Sequence, residues 1–290
     1  MSTVVPINYV DVLGASQLLR PYGIATDDSL NIYVAEAANN QITKLDERGK
    51  FLMSFGRGEG GLFKKVGKLA QPAGVAVDPA GNSYVADMKL DCVFRFDAHG
   101  HFVMSFGKRG KGDGEFNHCW SARLDAEGRL WVVDRNNYRI QKFDAEGNLV
   151  FKFGTHGKNE HGQGEFDYPG DLAFDRQGCI YVTDEFNYRV QKFDPQGNFI
   201  LKFGKSGYGE DEFAHPRGIA IDSQQRVYVT DTYRNCILVF DLEGHFLFSF
   251  GGPKKLGGEL NRPIGIAINK KGSILVTDNQ NNRIMVFSTN

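Results

Sequence analysis

The fold is decided by Tyr181-Val182-Thr183-Asp184, which is followed by Asn187-Tyr188-Arg189-Val190-Gln191, then Phe193-Asp194 and Phe203-Gly204. Residues 131–154 repeat this pattern almost letter for letter, and looser copies occur elsewhere in the chain. The acidic residue that ends the first segment recurs at positions 36, 87, 134, 184, 231 and 278, so successive spacings are 51, 47, 50, 47 and 47 residues. A near-constant period of this length predicts a repeat architecture.

Each repeat has the pattern of four short antiparallel strands. Residues 179–183 and 189–193 are rich in β-branched and aromatic side chains, which favour strands. Turns of the form Asp-x-x-Gly, such as Asp175 to Gly178 and Asp194 to Gly197, predict tight connections between them. A four-stranded unit cannot bury both of its faces alone, so the copies must stack. The sequence therefore predicts an all-β, six-bladed β-propeller of four-stranded blades.

The ends of the chain predict how the ring closes. The last repeat stops after its third strand, whereas residues 7–14 form an isolated segment that resembles the fourth strands of the other repeats. We expect this N-terminal strand to complete the last blade, because that pairing removes an open strand edge. The predicted single domain covers residues 1–290. Its blades lie at approximately 15–56, 69–107, 116–154, 166–204, 213–251 and 260–288, the last with 7–14.

Composition excludes few functions. The formal net charge is −1, so no overall field attracts nucleic acid or membrane, and no stretch approaches the roughly 20 apolar residues of a membrane helix. The N-terminus lacks the pattern of a signal peptide, and the four cysteines contain no Cys-x-x-Cys pair. These features predict a cytoplasmic protein with reduced thiols, although a secreted protein whose leader has been removed would look the same. No cofactor and no membrane partner are expected.

The repeats resemble the NHL-repeat family over essentially the whole chain. The resemblance rests on the strand starts Pro72 to Asp78 and Pro216 to Asp222, the Tyr-Val-(Thr/Ala)-Asp segment, the Asn-x-Arg-(Ile/Val) segment, and the connector from Gly107 to Phe116. It implies a six-bladed propeller with a docking surface. The family includes RNA-binding tripartite-motif proteins, bacterial sensor ectodomains, scaffolds and a zinc-dependent amidating lyase, so the resemblance implies no particular reaction.

Functional candidates are sought where one repeat departs from the others. Five repeats place alanine in the innermost strand where the third places Arg123, and Asp171 is the acidic residue at a corresponding position of the next repeat. A buried arginine is costly unless it is paired, so we expect an Arg123–Asp171 ion pair in or beside the central channel. Such a pair serves either the fold or a ligand. The face that carries the long inter-blade connectors, here called the long-loop face, is expected to hold the ligand site.

The leading hypothesis is a non-catalytic binding or scaffold propeller that recognises a protein, a peptide or a small polar ligand. Its predicted ligand-binding residues surround the channel mouth on the long-loop face: Tyr22, His118, Trp120, Arg123, Asp171 and Arg217.

A second hypothesis is RNA binding through a basic arc of three consecutive connectors. The alternative explanation of this arc is an ordinary solvated rim of mixed charge, because acidic residues dominate the other connectors. The members of the basic arc are Lys64, Lys65, Lys68, Lys108, Arg109, Lys111, Lys254 and Lys255.

A third hypothesis is a metal-dependent lyase or hydrolase, but the sequence offers no catalytic residue and no metal site for it. The zinc-binding histidines of the resembling lyases are replaced here, for example by Tyr22 and Ile264. His118, His215 and Cys119 have ligand chemistry but belong to repeats two blades apart. The repeated aspartates and Arg139, Arg189 and Arg283 are interpreted as structural, because chemistry requires asymmetry whereas these residues follow the repeat. We expect these arginines to brace neighbouring blades.

Overall fold

A computed structural model describes residues 7–15, 17–59, 66–157, 162–252 and 259–289. Within these ranges the chain forms six four-stranded antiparallel sheets, each built in the order predicted from one repeat. No helix in the described part of the chain is long and apolar enough to cross a membrane.

The strands of each blade run outward from the central axis. Blades 1 to 3 contain Pro21–Thr26, Ile32–Glu36, Gln41–Leu45 and Phe51–Phe55; Pro72–Val77, Ser83–Asp87, Cys92–Phe96 and Phe102–Phe106; and Cys119–Leu124, Leu130–Asp134, Arg139–Phe143 and Leu149–Phe153. Blades 4 to 6 contain Pro169–Phe174, Ile180–Asp184, Arg189–Phe193 and Phe199–Phe203; Pro216–Ile221, Val227–Asp231, Cys236–Phe240 and Phe246–Phe250; and Pro263–Ile268, Ser273–Asp278, Arg283–Thr289 and Ile7–Leu13.

The connectors add short pairs of strands and single turns of 3-10 helix. The short pairs are Arg57–Glu59 with Val66–Lys68, Thr155–His156 with Glu165–Phe166, and Lys205–Ser206 with Glu212–Phe213. The 3-10 turns are Arg135–Asn137, Glu185–Asn187 and Asn279–Asn281.

The predicted ring closure is confirmed. Ile7–Leu13 pairs antiparallel with Arg283–Thr289, and the register places Tyr9 opposite Phe287 and Leu13 opposite Ile284. The pairing covers the edge that the last repeat leaves open and joins the two ends of the chain in one sheet. Blade 6 therefore draws on both ends of the sequence.

Turn chemistry explains why the strands end where they do. In the turn after the first strand of blade 3, the carboxylate of Asp125 accepts the backbone N–H groups of Glu127 and Arg129. Gly128 closes that turn with a φ of +76°, which glycine adopts without strain. The same Asp-x-x-Gly arrangement recurs from Asp144 to Gly147 and from Asp241 to Gly244.

The core lies between neighbouring blades. Phe153 of the outer strand of blade 3 packs against Phe193 of blade 4, with 4.8 Å between the ring centroids. Nearer the axis, glycine allows close approach of the sheets: a Cβ at Gly218 would lie 2.2 Å from the carbonyl oxygen of Ile264 in blade 6. At this position blades 3 and 4 instead carry Ser121 and Asp171, so the inner ring is asymmetric there.

Candidate functional site

The six repeated acids build the blades. Asp134 and Asp184 are fully buried, and they accept the backbone N–H groups of Asn117 and Asp167 at 2.8 and 2.7 Å. Each acceptor therefore fixes the chain as it enters its own blade. Burial raises the pKa of Asp184 despite these donors and the nearby guanidinium of Arg189. Since the contacts recur in successive repeats, they account for the carboxylates without a catalytic role.

The repeated arginines are structural, but the expectation that they brace neighbouring blades is wrong. Arg139 donates from Nε to Asp134 of its own blade and from Nη1 to the carbonyl of Lys111 at 3.0 Å. Arg189 similarly reaches the carbonyl of Gly162. These side chains lie along the connector that leads into their own blade, because the third strand ends beside that connector.

The predicted pair of Arg123 and Asp171 is present at the axis. Nε of Arg123 donates to Oδ1 of Asp171 at 3.1 Å, and Nη2 contacts Oδ2. Nη1 donates across the channel to the backbone carbonyl of Ile24 in blade 1 at 3.2 Å. The guanidinium thus ties blade 3 to blades on both sides of the axis.

The pair divides the channel into two unequal spaces. Asp171 is buried and also accepts the hydroxyl of Ser121 at 2.6 Å, so its carboxylate is well supplied with donors. Above Arg123, the mouth on the long-loop face encloses about 20 Å³, room for about one water molecule. Below it, an apolar well of about 410 Å³ opens on the opposite face. A ligand on the long-loop face can therefore insert only a small group.

The predicted mouth residues assemble around Trp120. Tyr22 meets the Trp120 ring edge-on with 5.7 Å between centroids, and His118 stacks on it at 5.6 Å. The guanidinium of Arg217 lies 5.5 Å from the centre of the same ring. Burial, with the nearby charge of Arg135, lowers the pKa of His118, so this histidine is neutral at pH 7. The structure brings these residues together; their role in ligand binding stays a prediction.

Sequence reasoning missed three residues that lie beside this mouth: Arg135, Glu185 and His215. The first two share one position of the repeat, directly after the repeated acid, where the six residues differ widely: Ala37, Met88, Arg135, Glu185, Thr232 and Asn279. In blades 5 and 6 this position braces the next blade, since Thr232 donates to the carbonyl of Pro263 at 2.8 Å. The variation at this position is a signal that the sequence carried.

Glu185 is the centre of a buried charge cluster. It is fully buried and forms ion pairs with Arg135 of blade 3 and with His215 and Arg217 of blade 5. Arg217 donates from Nε to Oε1 at 2.9 Å. The guanidinium of Arg135 lies flat against Trp120, 4.6 Å from the ring centre, so the cluster forms the floor beneath the aromatic wall.

The protonation of this cluster follows from its geometry. Burial opposes ionisation of Glu185, but Arg135, His215 and Arg217 outweigh it and lower the pKa of the carboxyl to about 2. An ionised carboxylate only accepts, so Nε2 of His215 must carry the hydrogen that it shares with Oε1. Nη2 of Arg217, 3.2 Å from that nitrogen, then has no acceptor there.

Glu185 is expected to make stability fall at acid pH. Its folded pKa lies below the model value of 4.5, so its contribution is complete above that value and is lost as the pH falls toward 2. The difference corresponds to on the order of 3 kcal/mol. Urea unfolding of wild type and Glu185→Gln between pH 5 and 2.5 (about, spanning the window) tests this. Equal acid slopes for the two proteins would contradict the assignment.

Two family comparisons match parts of the chain. The NHL repeat family matches residues 116–143 and 260–287, and a family described as a 6-bladed beta-propeller matches residues 163–250. The protein is an NHL-repeat propeller. This agrees with the six sheets and with the motifs that define each repeat. A comparison with curated protein sequences gave no significant match.

Solved structures that share the NHL-repeat propeller's fold differ widely in function. A streptogramin B lyase is 14% identical with a TM-score of 0.69, and the alignment covers 100% of both chains. A gluconolactonase from Xanthomonas campestris is 15% identical with a TM-score of 0.66, covering 94% of this chain and 87% of the other. A chain of a nidogen/laminin complex is 18% identical with a TM-score of 0.64, covering 86% and 84%. At these identities the likeness shows the fold alone.

The described members of the basic arc lie on the outer connectors of the NHL-repeat propeller, and some have acidic neighbours. Nζ of Lys108 lies 3.3 Å from Glu115, and Nε of Arg109 lies 4.0 Å from Asp91. Lys68 and Lys111 are exposed. Lys64, Lys65, Lys254 and Lys255 lie outside the described residues. RNA binding by this arc stays a prediction.

Metal-ligand chemistry does not converge in the described part of this propeller. No group of three or more His, Cys, Asp or Glu side chains there has an arrangement that could hold a metal ion. His215 is engaged by Glu185, and His118 stacks on Trp120. Both histidines thus contribute to the wall and floor of the mouth.

Proposed function

We propose that the protein is a non-catalytic binding propeller that recognises an anionic group, in the simplest case a carboxylate, at the mouth on the long-loop face. The observation that carries this proposal is the state of Arg217. Its guanidinium is partly exposed at the mouth and lies over Trp120, while only Nε is used by Glu185. Within the described ranges, Nη1 has no hydrogen-bond acceptor in the protein.

The charges around the mouth favour the same ligand. Arg123, Arg135 and Arg217 contribute three guanidiniums against the carboxylates of Asp171 and Glu185, which leaves one net positive charge. Arginine binds carboxylates through paired N–H groups, and such charge-assisted bonds are roughly twice as strong as neutral ones. A carboxylate at the mouth would use the donors of Arg217 and rest against Trp120.

Trp120 provides the measurement. The chain has two tryptophans, and Trp131 is buried on the other side of blade 3, so a Trp131→Phe protein reports on the mouth alone. Titration with sodium succinate against sodium chloride at equal ionic strength should give a saturable change in Trp120 emission. Arg217→Ala should weaken it at least about tenfold, because a charged hydrogen bond contributes about 1.5–3 kcal/mol.

Two further variants sharpen the result. Arg217→Lys keeps the charge but loses the planar fork, so it should fall between wild type and alanine. Arg48→Ala removes an exposed arginine from the opposite face and should change nothing. A response that does not saturate, or that survives in Arg217→Ala, would refute the proposal. Stoichiometric zinc or calcium in the purified protein would favour the metal-dependent lyase or hydrolase instead.

A further inference from the structure

A cationic sector continues from the mouth across blades 5, 6 and 1. Arg262 and Arg20 occupy equivalent positions, directly before the prolines that begin blades 6 and 1, and both are exposed. Their backbone N–H groups donate to the side chains of Asn235 and Asn282 at 2.9 and 2.8 Å. The preceding blade thus fixes each backbone, while the guanidinium extends from the rim. We call Arg217, Arg262 and Arg20 the cationic rim.

An exposed aromatic side chain joins the mouth to this rim. Tyr233 is 56% exposed and stacks on His215, with 4.3 Å between the ring centroids. The guanidinium of Arg262 lies 5.9 Å from the centre of the Tyr233 ring. On the other side of His215, Phe186 is 44% exposed and 5.5 Å away. The mouth is therefore flanked by apolar surface that is open to a partner.

The rim differs electrostatically from the outer connectors. Among the residues that the structure describes, neither Arg20 nor Arg262 has an acidic partner within ion-pair distance, whereas Lys108 and Arg109 have such partners. Uncompensated charge beside exposed aromatic rings is the composition of a protein interface, in which arginine and tyrosine are enriched. The rim is therefore the stronger candidate for a charged partner.

We infer that the cationic rim docks an acidic segment of a protein partner, an inference that rests on the proposed function of the mouth. One carboxylate side chain enters at Arg217, an adjacent apolar residue covers Tyr233, and further acids meet Arg262 and Arg20. The mouth holds about 20 Å³, far below the roughly 300 Å³ of pockets that enclose a small molecule. It fits a side-chain tip, and the remaining contact must come from the surface around it.

Protein acids fit this surface better than RNA does. The chain has a net charge of −1, so it has no overall attraction for a polyanion. The small mouth excludes a nucleotide base, and the rim's three donors are arginines, whose planar fork matches carboxylates. Oligouridylate is nevertheless one arm of the test.

The test uses fluorescence anisotropy of a short, amide-capped, fluorescein-labelled peptide in which glutamates alternate with leucine-glycine pairs. Wild type should bind it and should bind the same peptide with glutamine for glutamate at least about tenfold more weakly. Arg20→Ala combined with Arg262→Ala should weaken peptide binding roughly tenfold and reduce its salt dependence. The same double variant should keep the succinate response of Trp120. Arg48→Ala with Lys50→Ala, on the opposite face, is the matched control.

The outcomes separate the two proposals. A normal succinate response with equal binding of the glutamate and glutamine peptides would overturn the acidic-partner inference alone. An intact peptide affinity in Arg20→Ala with Arg262→Ala would do the same. Tighter, rim-dependent binding of oligouridylate than of peptide would replace the protein partner by RNA. Absence of any succinate response in wild type would overturn the proposed function, and this inference with it.

Discussion

Replacing Glu185 by alanine is expected to destabilise the protein by about 3–5 kcal/mol, because removal of one member of a buried ionic group leaves its partners uncompensated. Arg135 is itself 6% exposed, and its guanidinium is held between Glu185 and the ring of Trp120. Without the carboxylate, that positive charge stays buried beside Arg217. Thermal unfolding should show a midpoint lowered by roughly 10 °C.

A matched control for this substitution is Glu127→Ala. Glu127 is 64% exposed in its side chain and pairs with Arg129 on the opposite face. Surface ion pairs contribute about 0–1 kcal/mol, so this variant should unfold close to wild type. Glu185→Gln, which keeps the shape and loses the charge, should fall between the two. If Glu185→Ala cost no more than Glu127→Ala, the cluster would not have the electrostatic importance assigned to it.

Replacing Asp171 by glycine, the residue at this position in four other blades, is expected to destabilise the protein by a similar 3–5 kcal/mol. Arg123 would then remain at the axis without its carboxylate, and the hydroxyl of Ser121 would lose its acceptor. Adding Arg123→Ala should restore most of the loss, because alanine stands at this position in the other five repeats. Replacement of a whole buried ion pair is often neutral or stabilising.

A double-mutant cycle measures this coupling. Urea unfolding of wild type, Asp171→Gly, Arg123→Ala and the double variant should give an interaction energy of about 1–3 kcal/mol. Additive losses would show that the two residues act independently. The double variant also opens the channel between the mouth and the apolar well, so its succinate response separates a structural role of the pair from a ligand-anchoring one. An unchanged response would assign the pair to the fold.

Solved structures with this fold include lyases, a lactonase and a chain of an extracellular complex, so the shared architecture does not select among these functions. What distinguishes this chain lies in a few side chains near the axis. The repeated acids and arginines are used for blade construction, as their contacts with the connectors show. Function is therefore sought in Arg217 and its surroundings.

The sequence alone predicted the blades, the turns and the closure of the ring. These features depend on residues close together in the chain or on a strict repeat, as in the Asp-x-x-Gly turns and the Tyr-Val-Thr-Asp strands. It also predicted the Arg123–Asp171 pair, because a charged residue in a position otherwise occupied by alanine must find a partner. Both arguments use the repeat as a reference.

Only the tertiary structure showed the cluster around Glu185 and the cationic rim. Arg135, Glu185 and His215 come from three successive blades, and their side chains meet only because adjacent sheets lie at a particular angle and distance. Arg20 and Arg262 are far apart in the chain and share one rim because the ring closes through Ile7–Leu13. Hydrogen bonding within a blade is local and leaves a periodic trace in the sequence. Contacts between blades depend on packing around the axis, so the sequence determined the scaffold and the packing decided which charges remain available to a partner.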